Sequence, residues 1–171
     1  MFSSLLEQAI QHSGQRVREA FAEFSQADQK QKILQLDQLK QLPSPEKIIF
    51  PYRDLLFDWV ACYELIECYS THERQVRLLR ELLRIARKGI FISTINRYHP
   101  ASPWLKQDRS LALLTSFDIK ALVDVLPGKP FWKLGHVRVM GFKAYFFLMI
   151  WKEGFEPTVK NESDVEGKKN E

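Results

Sequence analysis

With 171 residues, 45% of them apolar and 27% charged, the chain has the size and composition of one globular domain able to bury a real core. The net charge of +4 is modest, and Arg74, Arg77, Arg80 and Arg84 are interspersed with Glu73 and Glu81. That reads as a solvated helix face and argues against a nucleic-acid-binding stripe. No apolar run approaches the ~20 residues that span a bilayer. Met1-Phe2-Ser3-Ser4 lacks the basic start of a secretory leader, and Glu7 interrupts any apolar stretch behind it. Cys62 and Cys68 form no CxxC pair and read as reduced thiols, so a cytoplasmic protein is expected.

From the amino terminus, Leu6, Ile10, Val17, Phe21 and Phe24 recur at helical spacing over residues 3–24, with Gly14 a weak point that could split the helix in two. Ser25 or Asp28 could cap a second helix over residues 26–42, where Ile33, Leu36, Leu39 and Leu42 recur every third residue. A short strand over residues 32–37 is the alternative. Pro43 and Pro45 break the chain. Residues 1–46 therefore read as a helical segment ahead of an α/β domain over residues 47–152.

That domain centres on residues 57–98. The apolar run Trp59-Val60-Ala61-Cys62-Tyr63 precedes an amphipathic helix over residues 72–87, with Thr71 as its N-cap. A turn at Lys88-Gly89 then opens a second apolar run over residues 90–95. Strand, helix, strand predicts a parallel βαβ unit with a right-handed crossover. Ligands of such sheets sit beyond the carboxyl ends of the strands, here residues 62–67 and 96–100. A long loop holding His99 and Trp104 leads to a capped helix from Ser116, with Asp118 in its first turn. Residues 131–140 and 143–151 predict an antiparallel hairpin around Gly141. The charged residues from Lys152 onward, chiefly 153–171, read as a disordered tail.

Three phrases in order resemble the class I S-adenosylmethionine-dependent methyltransferases. The text from Ile49 to Cys68, with Phe57-Asp58-Trp59-Val60-Ala61-Cys62 at its centre, is similar to the family's LPFPDxSFDxVxCxExLEH. Leu78-Leu79-Arg80-Glu81-Leu82-Leu83-Arg84 is similar to its helix LLREhxRhhxPGG. Ile90-Phe91-Ile92-Ser93-Thr94-Ile95-Asn96-Arg97 is similar to its strand hhISTPNR. The resemblance covers the carboxyl-terminal half of that family, residues 47–152. It implies a Rossmann-like sheet made of the parallel βαβ unit and a carboxyl-terminal antiparallel pair, with helices in front.

The resemblance also implies S-adenosylmethionine as cofactor and an unspecified methyl acceptor. Cys62 and Tyr63 fall where the family lays its cofactor. Asp37 is the one candidate for the acid that ends the family's second strand and holds the ribose. Asn96, Arg97 and Tyr98 fall where substrate contacts are built, and His99 is the candidate general base. Glu64 and Glu67 could serve a cofactor amine or act as a base, but read as capping or solvating the next helix. Cys62 and Tyr63 have buried packing as their simpler role. His72 and His136 read as structural, and no spacing suggests a metal site.

The family's glycine-rich loop is missing: Gly14 is the only glycine before Gly89. The chain thus reads either as a truncated or degenerate methyltransferase or as a non-catalytic partner protein. The first family strand is expected to be absent. That leaves an open edge beside residues 59–63, to be covered by the amino-terminal helices, by residues 47–50 or by a second chain in a dimer.

Overall fold

A computed structural model describes residues 15–23, 25, 31–37, 47–99, 112–139 and 141–155. The expectations for Leu6, Ile10, Gly14, Phe24, Asp28, Leu39, Leu42, Trp104 and residues 156–171 lie outside the described residues. The described chain is a mixed α/β fold. Helix α1 covers residues 15–23, followed by strands β1 (Ile33–Asp37) and β2 (Phe57–Tyr63). Helix α2 (His72–Ile85), strand β3 (Ala86–Ile95) and helix α3 (Ser116–Asp124) come next, and strands β4 (Phe131–Val139) and β5 (Phe142–Trp151) close it. The sheet order is β1-β2-β3-β5-β4, parallel from β1 to β3 and antiparallel from β3 to β4.

The parallel βαβ unit and the terminal antiparallel pair are as the sequence implied. The first correction concerns β1 and the edge beside β2. Residues 33–37 are a strand, so the helical reading of 26–42 fails there. The slot beside β2 is filled, with Ile33 opposite Trp59 and Asp37 opposite Tyr63. The three-residue spacing misled because pairing with β2 decides the conformation. Within β1 the side chains alternate, Leu34 and Leu36 packing into one core and Ile33 into the other. The edge expected beside β2 is therefore closed by this chain itself, and among the described residues the sheet's outer strands are β1 and β4.

The second correction concerns Gly89. It is not a turn: α2 ends at Ile85 and β3 begins at Ala86, so Gly89 lies inside the strand. A Cβ there would come within 2.4 Å of the Ile150 carbonyl and 2.6 Å of the Trp59 ring. Glycine is required because β2 and β5 both approach closely at that point.

The sheet has a core on each face. On one, α2 and α3 bury a largely aliphatic cluster, with Leu78, Leu79, Leu82, Ile85 and Leu122 packed on Val60, Ile90, Ile92 and Ile150. Thr71 caps α2 by accepting from the Arg74 amide. At its other end Lys152 Nζ donates to the carbonyls of Leu83 and Ala86, both at 3.1 Å. A cation at that end also complements the helix dipole. Helix α3 has the reciprocal Thr115–Asp118 capping box. On the other face Val17 and Phe21 of α1 pack on an aromatic cluster of Trp59, Tyr63, Phe91, Tyr145 and Trp151.

Candidate functional site

The carboxyl ends of β1, β2 and β3 come together, as parallel strands require. Asp37, Tyr63 and Ser93 lie in register across the three strands. Asp37 ends the strand next to β2, the place that the resemblance gives to the family's first strand and not its second. Beyond β2 the chain turns sharply at Glu64, whose φ of 51° lies in the left-handed region, while its amide donates to the Ser93 carbonyl at 3.1 Å.

Cys62 and Tyr63 do not face an open niche. Cys62 has no exposed surface and packs in the α2 and α3 core. Tyr63 is 6% exposed and lies under α1. The Phe21 ring meets it edge-on at 6.5 Å, and the Arg18 guanidinium sits 4.5 Å from its ring centroid. Phe21 also packs on Phe91 at 5.3 Å. Burying Phe21 contributes about 2–3 kcal/mol, and the cation–π contact about 0.5–1 kcal/mol.

The end of β3 is organised around Glu67, in a short 3-10 turn over Ile66–Cys68. Glu67 was expected to cap or solvate a helix, yet it is 0% exposed. Its Oε1 accepts from the Ile95 amide at 3.0 Å, and its backbone carbonyl accepts from the Ala112 amide at 2.7 Å. Among the described residues its Oε2 and the nearby Thr94 hydroxyl are buried without a hydrogen-bond partner. Burial pushes the carboxyl up to about 8, and the neighbouring Glu64 adds to the rise. A carboxyl raised that far is largely protonated at neutral pH.

Of the four residues expected to meet a substrate, Asn96 is buried and committed. Its Nδ2 donates to the Lys143 carbonyl at 2.7 Å, and its Oδ1 accepts from the Tyr98 amide at 3.1 Å. Arg97 and Tyr98 are exposed at the tip of this turn. His99 is buried, and desolvation lowers its pKa, which keeps the imidazole neutral. His136 is exposed on β4, near Lys143 and Arg138. Among the described residues no group of His, Cys, Asp and Glu could hold a metal ion. Sequence reasoning missed Arg18 and the burial of Glu67. The placement of Glu67 between apolar Ile66 and Cys68 was the available hint for the latter.

These residues do not fit S-adenosylmethionine. The sequence after β1 reads Gln38-Leu39-Lys40-Gln41, with no glycine of the kind a close cofactor approach needs. The two strand-end residues that should line the cofactor are covered by Phe21 and Arg18 or buried in the core.

Among solved structures, the chain is similar to a SAM-dependent methyltransferase from Thermotoga maritima, described as a possible histamine N-methyltransferase. The identity is 14% and the TM-score 0.46, covering 62% of this chain and 61% of that one. It is also similar to magnesium protoporphyrin IX methyltransferase from Synechocystis with bound SAH, at 12% identity and a TM-score of 0.44, covering 61% and 48%. A SAM-dependent methyltransferase from Aquifex aeolicus matches at 15% identity and a TM-score of 0.43, covering 66% and 54%. The chain spans less than two thirds of each of these proteins. No family model and no curated protein matches the sequence. At this distance the likeness assigns neither an activity nor a substrate. Among the described residues no helix is long and apolar enough to cross a membrane.

Proposed function

We propose that this chain is a methyltransferase-like protein whose cofactor end is closed by its own first helix. It acts as a non-catalytic partner of another protein and does not transfer methyl groups by itself. The observation that carries this reading is the packing of Phe21 and Arg18 on Tyr63 at the carboxyl end of β2. The missing glycine loop supports it, since fold does not confer activity. The partner surface is the outer edge of β1, which is outermost among the described strands and suits pairing with a strand of another chain or a second copy. Cys62 and Cys68, two thiols with no disulfide between them, support a reducing compartment such as the cytoplasm.

A catalytic reading has one observation in its favour. His99 is a buried, neutral imidazole at the end where a methyl acceptor would sit. In that reading Asp37, Cys62 and Tyr63 would hold the cofactor and Arg97 and Tyr98 the acceptor, and α1 would have to leave Tyr63 first.

Isothermal titration of the folded protein with S-adenosylmethionine and S-adenosylhomocysteine, taken to millimolar concentration, separates the two. The partner reading expects no heat of binding from either ligand. A Kd of about 1 μM, roughly −8 kcal/mol, would overturn it in favour of the enzyme.

A further inference from the structure

On the outer side of α2, away from the strand ends, residues 47–50 run beside the helix. Together they form a cleft of about 460 Å³ lined by Ile49, Glu81 and four cations, Lys47, Arg77, Arg80 and Arg84. Two of these cations are neutralised locally. Arg84 is held by Glu81 and Asp54, whose negative charges make its guanidinium keep its proton more tightly still, and Arg77 is paired with Glu73. The other two are not. Among the described residues neither Lys47 nor Arg80 has a carboxylate partner, and Arg80 reaches only the Val125 carbonyl, at 3.5 Å.

The walls of the cleft are fixed. The Phe50 amide donates to Glu81 Oε1 at 2.8 Å, and Arg84 Nη2 donates to the Phe50 carbonyl at 3.3 Å. Ile48 and Phe50 are buried in the core, while Ile49 between them is 56% exposed. Two cations of different shape, neither paired with a carboxylate among the described residues, therefore face one cleft beside an exposed aliphatic side chain. A phosphate monoester carries about −1.5 to −2 charges near neutral pH and three acceptor oxygens. That charge matches the two cations, and the oxygens can serve a guanidinium fork and an ammonium together. The volume falls within the roughly 300–1,000 Å³ of small-molecule sites, so it suits a ligand larger than phosphate itself.

We infer that the cleft between residues 47–50 and α2 binds a small phosphorylated ligand, its phosphoryl group held between Arg80 and Lys47 and its body against Ile49. This site shares no residue with the strand ends and stands whether or not the chain binds a methyl donor.

The test is a thermal-shift series, followed by isothermal titration, with adenosine monophosphate, inorganic phosphate and citrate at one ionic strength set with sodium chloride. Wild type is compared with Arg80→Gln and Lys47→Gln, both exposed positions whose substitution leaves the core intact. Adenosine monophosphate is expected to bind saturably and more tightly than inorganic phosphate, and each variant to weaken it by about tenfold or more. Binding left unchanged in both variants, equal binding of citrate, or no response to any of the three probes would each overturn the assignment.

Discussion

At the end of β2, Tyr63 is covered by Phe21 and Arg18 of α1, a contact between rings and a guanidinium. At the end of β3, one strand away, Ile95 and Asn96 are held by polar groups, the Glu67 carboxyl and the Lys143 carbonyl. The first closure is made by a separate helix laid over the sheet face, and Arg18 and Phe21 reach it from a distant part of the sequence. The second is made by groups that the βαβ unit and its neighbouring strand carry themselves. The difference teaches where the chain could open. Removing α1 from Tyr63 exposes apolar surface but leaves no buried charge, whereas opening the β3 end strands polar groups that are now paired. The β2 end decides whether a cofactor can reach the strands, and the β3 end decides whether the turn carrying Arg97 and Tyr98 holds its shape.

The sharpest way to break this comparison is Phe21→Ala. It leaves a cavity beneath Tyr63 and Phe91 and should cost about 3–4 kcal/mol in urea unfolding. A loss below about 1 kcal/mol would mean that α1 is not docked there. Next comes Glu67→Gln, which tests the polar closure through pH. Native Glu67 keeps its proton to about 8, while the unfolded chain releases it near 4.5. The native state therefore holds more protons between those values, and stability falls as pH rises, by roughly 1 kcal/mol per unit. The slope ends above the native value. Glutamine cannot ionise, so the variant should lose this fall and be the more stable protein at pH 8. An unchanged slope would remove Glu67 from the account.

Asn96→Ala strips the side-chain bonds to Lys143 and Tyr98 and should cost about 2 kcal/mol, with hydrogen exchange at Tyr98 and His99 accelerated. Arg18→Gln should have the smallest effect, about 0.5–1 kcal/mol. Tyr63 fluorescence should still report a buried ring in that variant.

The sequence carried much of this architecture because its signals were local. Thr71 ahead of an amphipathic run, Thr115 with Asp118, and the apolar runs that became β2, β3 and β5 each announce their element within a few residues. What was missed depends on long-range pairing. Residues 33–37 carry a helical spacing that only β2, more than twenty residues later, overrides. Gly89 looked like a turn because its true constraint comes from the Ile150 carbonyl and the Trp59 ring. At the site, the strand ends and their residues were legible. The burial of Glu67 and the covering of Tyr63 were not, because the groups responsible are Ile95, Thr94, Phe21 and Arg18, brought together only by the folded sheet.

The most direct test of the closed cofactor end is to follow the Phe21–Tyr63 ring contact by nuclear Overhauser spectroscopy, without and with millimolar S-adenosylhomocysteine. A contact present in both samples, with the Tyr63 resonances unmoved, is the predicted result. Loss of the contact on adding the ligand, with Tyr63 shifting as it goes, would show that α1 is a removable cover over a working site and would contradict the account.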